Sequence, residues 1–240
     1  MIILALDSAL TSCSTALIKD GEILSELFED KRRGQAERLV PMCKEACREA
    51  DVSFDDLDVI SVTRGPGAFT GVRIGLATAK GLALALGLPL MTVTTLEVVA
   101  QNVAETLELS RENFQGRVAI ALDARRSEVY VQLFDILDGI AIAASEPAAV
   151  PLADISDRLD EKVVYLAGTG ADLVAPYLAL GLIQKIALPI VMGQPNAAAA
   201  GRITAKRIKA GDLPAEIAPL YLRPPDAVAA KPIIYAFQNQ

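Results

Sequence analysis

Short apolar runs bounded by turn signals open the chain. Ile2–Leu6, Ser14–Lys19 and Glu22–Phe28 are strand-like, and Asp20-Gly21 separates the last two, a pair favoured in two-residue hairpin turns. A three-stranded β-meander is predicted. From about Glu37 to Ala50 the apolar residues Leu39, Val40, Cys43, Ala46, Cys47 and Ala50 fall at helical spacing, with Pro41 acceptable only if it lies within about the first turn. Val59–Thr63 reads as a buried strand. The turn-rich segment Arg64-Gly65-Pro66-Gly67-Ala68-Phe69-Thr70-Gly71 then leads into a helix that runs to about Gly87, with Pro89 marking its end. Leu90–Val93 is a short strand, and Thr94 or Thr95 caps a further helix with Glu97 in its first turn.

After Gly116 the opening plan recurs. Val118–Leu122 ends in Asp123, Glu128–Phe134 is a second strand, and Asp138-Gly139 turns into a third near Ile140–Ala144. Ala5-Leu6-Asp7 reappears as Ala121-Leu122-Asp123, and an internal duplication explains the parallel more simply than coincidence. Further elements follow: the strand Val163–Ala167, the loop Gly168-Thr169-Gly170, and an alanine-rich helix over Asn196–Ala210. The predicted fold is α/β, two-lobed, of the actin, sugar-kinase and Hsp70 class of ATPase folds. Polar residues from Asn102 to Gln115 place the boundary, giving an N-terminal, partner-binding lobe over 1–105 and a C-terminal lobe over 106–240 with a proline-containing tail.

Composition narrows the chemistry. The chain of 240 residues is 52% hydrophobic, with a mean hydropathy of +0.36, which raises the question of membrane insertion. A spanning helix needs about 20 apolar residues. The most apolar stretch, Gly71 to Leu90, carries Arg73 and Lys80, so it reads as a helix buried by protein, and a cytosolic protein without a membrane partner is expected. Three cysteines make a poor disulfide framework. Cys43 and Cys47 lie one helical turn apart on an apolar face and read as buried thiols in preference to a metal pair. Histidine is absent, which removes histidine triads, histidine bases and the common mixed zinc sites. The formal net charge is −7, so nucleic acid is expected to be held mainly by another chain.

Two sets of candidate residues emerge. In the predicted fold class the turn after the first strand contacts nucleotide phosphates, and here it is Asp7-Ser8-Ala9-Leu10. Ala9, where glycine is usual, weakens that reading, and Asp7 capping nearby backbone N–H groups is the alternative. Together with Gly65, Gly67, Gly168 and Gly170, Asp7 and Ser8 form a candidate set of phosphate loops, functional or vestigial. A P-loop is rejected because Val72 and Arg73 follow Gly71 where Lys and Ser/Thr are required. The second set is a stripe of small residues at every fourth position, Gly71, Gly75, Ala79, Ala83 and Gly87, a nearly bare helix ridge. Glycine inside a helix costs about 1 kcal/mol, and close backbone approach is the usual compensation, either to the chain's own sheet or to a partner.

Several segments resemble the bacterial TsaB (YeaZ) family. Gly65-Pro66-Gly67-Ala68-Phe69-Thr70-Gly71-Val72-Arg73-Ile74-Gly75 looks like that family's signature, continued by Ala79-Lys80-Gly81-Leu82-Ala83. Ile3–Ser8, Asp123-Ala124-Arg125-Arg126 with Glu128-Val129-Tyr130, and Pro219-Leu220-Tyr221-Leu222-Arg223 are similar to further blocks. The resemblance implies a non-catalytic subunit of the machinery that forms threonylcarbamoyladenosine on tRNA. It would pair with a TsaD-like catalytic subunit and a TsaE-like P-loop ATPase, and meet tRNA only through the complex. It also implies no cofactor for the isolated chain and a nucleotide at most at the partner boundary; the same helix surface could pair with itself when the partner is absent, which leaves homodimer and monomer both open for the isolated chain. The implied interface comprises Leu39, Met42, Cys43 and Ala46 on one helix and Gly71, Val72, Gly75, Leu76, Ala79, Lys80 and Ala83 on the next. Relatives often keep a histidine where this chain has Gln35. An independent small-molecule kinase on the same fold is the competing function; a peptidase is nearly excluded by the missing histidines and the missing nucleophile elbow.

Overall fold

The computed structural model describes residues 1–30, 33–110, 114–178, 193–212 and 217–223. The first lobe is built on a five-stranded sheet. β1 (Ile2–Asp7), β2 (Ser12–Lys19) and β3 (Glu22–Asp30) form the antiparallel meander. β4 (Val59–Thr63) and β5 (Leu90–Val93) add parallel strands in the order β3-β2-β1-β4-β5. The second sheet repeats the opening: β6 (Gly116–Arg125), β7 (Glu128–Leu137) and β8 (Ile140–Ala143) are antiparallel, and β10 (Val163–Ala167) runs parallel to β6. β9 (Ala148–Pro151), which the sequence did not predict, pairs with β7. Both Asp-Gly turns keep the hairpin geometry, with positive φ at Asp20 and Gly21 and at Asp138 and Gly139.

The helices distribute differently from the sequence-based division at residue 105. α1 (Gln35–Glu49) and α2 (Phe69–Leu86) cover one face of the first sheet, where Leu4, Leu6, Ile60 and Val62 meet Cys43, Val72, Leu76 and Ala79. α3 (Thr95–Ser110), assigned from sequence to the first lobe, packs Leu96, Val99, Val103 and Leu107 against Val118, Ile120 and Phe134 of the second sheet. Conversely, α5 (Ala197–Ala210) returns to the first sheet, past the one-turn α4 (Ala171–Val174), and sets Ala197–Ala200 and Ala205 on Ile3, Ala5, Ala16 and Ile18. Its small residues permit close approach: a Cβ on Gly201 would lie 2.4 Å from the Ile18 side chain. Arg202 pairs with Glu105 and Arg207 with Glu97, so α3 and α5 are ion-paired across the lobes.

Two local expectations change. α1 begins at Gln35, so Pro41 lies inside the helix and not in its first turn, which leaves the carbonyl four residues back without its helical donor. α2 is half-embedded: Gly71, Val72, Gly75, Leu76, Ala79 and Ala83 are buried while its other face is open. Against expectation, Phe69–Leu86 is long and apolar enough to cross a membrane by length and composition alone, with 33% of that window buried.

The small-residue stripe faces the chain's own sheet. A Cβ on Gly71 would lie 2.2 Å from the Ser8 carbonyl oxygen, and one on Gly75 2.9 Å from Ser8 Oγ. At Gly81, on the open face, an added Cβ meets nothing within 4 Å. Gly71→Ala is therefore expected to destabilise the fold by about 1–3 kcal/mol, and Gly81→Ala to stabilise it by roughly 0.5–1 kcal/mol. Equilibrium denaturation of both variants checks the pair; equal effects would show that α2 does not seat at this depth.

Candidate functional site

The turn after β1, the loop before α2 and the segment 217–223 meet at one place. Ser8 Oγ donates to the Gly71 carbonyl at 2.9 Å, joining the turn to the first turn of α2. Ala68 N–H donates to the Ala9 carbonyl at 2.8 Å, and Leu220 N–H to the Arg64 carbonyl at 2.7 Å. Ala68 sits at the helix N-cap without a capping side chain.

The glycines expected to cradle phosphate serve the chain's own backbone. A Cβ on Gly67 would lie 2.3 Å from the Ala9 carbonyl oxygen, one on Gly65 3.0 Å from that of Leu220, and one on Gly168 2.3 Å from that of Ala121. A Cβ on Gly170 would lie 2.9 Å from Val129 and 3.0 Å from the Leu122 carbonyl carbon. Each loop is closed on a strand or turn of the same chain. Gln194 fills the neighbouring space between the lobes: its side chain donates to Thr11 Oγ1 at 2.7 Å and accepts from Ser12 Oγ at 3.3 Å, and its carbonyl accepts from Asn102 at 3.3 Å.

Asp7 is fully buried. Its Oδ1 accepts from Thr63 Oγ1 at 2.5 Å and from the Ala9 N–H at 3.2 Å, while Oδ2 has no partner among the described residues. The capping reading of Asp7 thus holds, and it has an echo in the second lobe, where Asp123 Oδ1 accepts from the Arg125 N–H at 2.7 Å. Gln35 donates its amide to the Leu10 and Ser12 carbonyls, each at 3.1 Å, and so pins the same turn.

The expected interface set lies inward. Leu39, Met42, Cys43 and Ala46 are 0% exposed, and Val72, Leu76, Ala79 and Ala83 are buried with Gly71 and Gly75; of the set only Lys80 is exposed. Burial and the neighbouring Cys47 push the Cys43 thiol far above its ordinary pKa. What the helices present outward is Val40, Phe69 and Leu84, the last 85% exposed. Leu84 and Lys80 border a groove of about 510 Å³ that continues to Leu88 and Ile217. The sequence also did not disclose a cluster at the start of α2: the Arg73 guanidinium lies 3.6 Å over the Phe69 ring, Arg73 Nε donates to Tyr221 Oη at 2.8 Å, and the two rings stack at 5.5 Å.

Burial raises the Asp7 pKa to about 7, against the lowering effect of Thr63 and Ala9. The unfolded chain gives up this proton near pH 4 and the folded chain near 7, so the group's contribution to stability falls as pH rises between those values and is flat above. The stability of Asp7→Asn minus that of the parent is expected to climb by on the order of 2–4 kcal/mol across that window. Urea titrations at pH 4 to 8 measure it, and parallel curves for the two proteins would refute it.

Comparison with known proteins gives a consistent identity. The family described as TsaD, tRNA N6-adenosine threonylcarbamoyltransferase, matches residues 22–203. The tRNA threonylcarbamoyladenosine biosynthesis protein TsaB of Escherichia coli is 42% identical over 130 residues, 54% of this chain and 53% of that protein, so the chain spans about half the length of that relative. TsaB of Bacillus subtilis is 32% identical over 162 residues, 68% of this chain and 67% of the relative. The solved structure of YeaZ from Pseudomonas aeruginosa superposes with a TM-score of 0.78 at 33% identity, covering 92% of this chain and 99% of that one. Two sheets that each open with the same meander, an Asx turn ending β1 and echoed in β6, and this coverage lead to one assignment: the chain belongs to the TsaB (YeaZ) family.

Proposed function

We propose that the chain is a non-catalytic subunit in tRNA threonylcarbamoyladenosine biosynthesis that pairs with a TsaD-type transferase, with a TsaE-type ATPase as the third component. The observation that carries this reading is the closure of the glycine-bearing candidate phosphate loops on the chain's own backbone, at 2.3–3.0 Å for the missing Cβ atoms of Gly65, Gly67, Gly168 and Gly170. A kinase needs those N–H groups turned toward its nucleotide. Here the approach that glycine permits is used for internal packing.

Pairing is assigned to the outward face of α1 and α2. Leu84 stands far into solvent beside Lys80, and Val40 adds an exposed apolar side chain on α1. Large exposed apolar side chains on adjacent helices suit docking against an equivalent helix pair. The same face would serve an isologous homodimer in the partner's absence.

Because Leu84 touches little of its own chain, Leu84→Asp is expected to keep the melting curve of the parent and weaken binding to a TsaD-type partner at least tenfold, with tRNA threonylcarbamoyladenosine falling in cells that depend on it. Binding titration with circular dichroism on the same samples measures this. A folded Leu84→Asp chain that binds normally would remove the pairing face from α2. Phosphoryl transfer by the isolated chain with Mg-ATP would replace the subunit reading with the kinase one.

A further inference from the structure

Three segments that are distant in sequence, and that protein pairing does not use, converge on one surface. They are Arg64–Arg73, Asp123–Tyr130 and Pro219–Arg223. Leu220 is bonded to the Arg64 carbonyl, Tyr221 stacks on Phe69 and accepts from Arg73, and Arg223 Nη1 donates to Glu128 Oε2 at 2.7 Å. Glu128 is the register partner of Arg125 at the end of the β6–β7 hairpin. At that tip Arg125, Arg126 and Ser127 all take positive φ, 66°, 55° and 59°, and the Arg125 side chain, ion-paired with Asp123 Oδ2 at 3.1 Å, is still 76% exposed.

The resulting surface is basic on an acidic protein. Together the three segments carry five arginines, Arg64, Arg73, Arg125, Arg126 and Arg223, against two carboxylates, Asp123 and Glu128, in a chain of net charge −7. Phe69 and Tyr221 remain 45% and 42% exposed while stacked on each other. A clamp between the lobes explains the Arg223–Glu128 pair and the Leu220 bond. It does not call for two arginines on an exposed hairpin tip or for half-exposed rings topped by a guanidinium.

Arginines that reach phosphates beside planar groups that accept an unpaired base are the chemistry of single-stranded nucleic-acid binding. We propose that this patch holds an unpaired stretch of RNA, with phosphates on Arg64, Arg125 and Arg126 and a base against the Phe69–Tyr221 platform. The choice of RNA rests on the tRNA-modification reading above; the geometry itself asks for a single strand. The chain's overall charge keeps such binding weak at physiological salt, so low salt exposes it.

The test is anisotropy of a labelled single-stranded RNA of about twelve nucleotides with the full chain, from about 20 to 150 mM salt. Three phosphate contacts give a log–log salt slope of about −2. Arg125→Asn with Arg126→Asn, chosen because asparagine tolerates left-handed φ, is expected to weaken binding about tenfold or more and flatten the slope. Lys162→Asn with Lys209→Asn removes the same charge elsewhere and is expected to cost less than about twofold. Tyr221→Leu is expected to lose roughly tenfold with the slope kept, while Tyr221→Phe, which retains the ring and loses the bond to Arg73, binds as the parent does. Absence of binding at low salt, equal losses from the two charge pairs, or equal affinity for a duplex of the same length would overturn the proposal. Titrating the Arg125→Asn, Arg126→Asn chain with a TsaD-type partner separates the two ideas: RNA lost with the partner retained supports the patch and leaves the pairing reading intact, whereas RNA and partner lost together overturns a site distinct from the pairing face.

Discussion

The depth at which α2 seats on the turn after β1 governs most of what else the molecule does. At Gly67 and Gly71 the backbone of loop and helix lies where a Cβ would fall within 2.3 Å of the Ala9 and Ser8 carbonyl oxygens. Two backbones cannot approach so closely through any other residue. Gly71 and Gly75, inside the helix, each cost about 1 kcal/mol of propensity. What offsets this is the fit of Val72, Leu76 and Ala79 into the layer above Leu6, Ile60 and Val62 and the Ser8 to Gly71 bond. With α2 fixed there, the Gly65 loop is drawn against Leu220, the 217–223 segment is laid across the seam, and Leu84 is turned to solvent.

Much of the architecture was legible in sequence because each feature had a local cause. Asp20-Gly21 and Asp138-Gly139 fixed two hairpins, and the paired bonds between Thr94 and Glu97 are the predicted N-terminal cap of α3. The repeated Ala-Leu-Asp marked the duplication, and Asp7 and Asp123 make the same bond to the N–H two residues on. What sequence could not give is which surface a buried face meets. The periodicity of α3 and α5 shows that each has an apolar side; only the tertiary structure shows that α3 belongs to the second sheet and α5 to the first. α3, which straddles residue 105, packs on the second sheet, a contact that its periodicity does not disclose.

The interface residues illustrate the same limit in a sharper form. A fourfold spacing of small residues states that something comes close to the helix, and says nothing about whether it is the same chain. The regular set Leu39, Met42, Cys43, Ala46, Gly75, Leu76 and Ala79 is visible because the core imposes its period, so the residues easiest to read are the ones already satisfied. Leu84 departs from that period and looks like noise in sequence, and Val40, read with the periodic set, turns out half-exposed. Once the inward set is accounted for by the sheet, the outward apolar side chains are the ones left without an internal partner, and they acquire meaning only by that subtraction.

Charge follows an analogous logic. A net −7 describes the field far from the protein, but at physiological ionic strength that field decays over about 8 Å. A ligand in contact with the seam meets the arginines beside it and little of the acidic remainder. Arg125-Arg126 looks like a short local pair in sequence, and Arg64, Arg73 and Arg223 look like isolated surface residues. Their convergence depends on α2 being pressed against the β1 turn, because that contact brings the Gly65 loop to Leu220 and so lays Tyr221 and Arg223 toward the β6–β7 hairpin. Bulk at Gly71 would therefore disturb more than a core contact: by lifting α2 it would also separate Phe69 and Arg73 from Tyr221, coupling the packing of one glycine to the charge pattern of the opposite lobe.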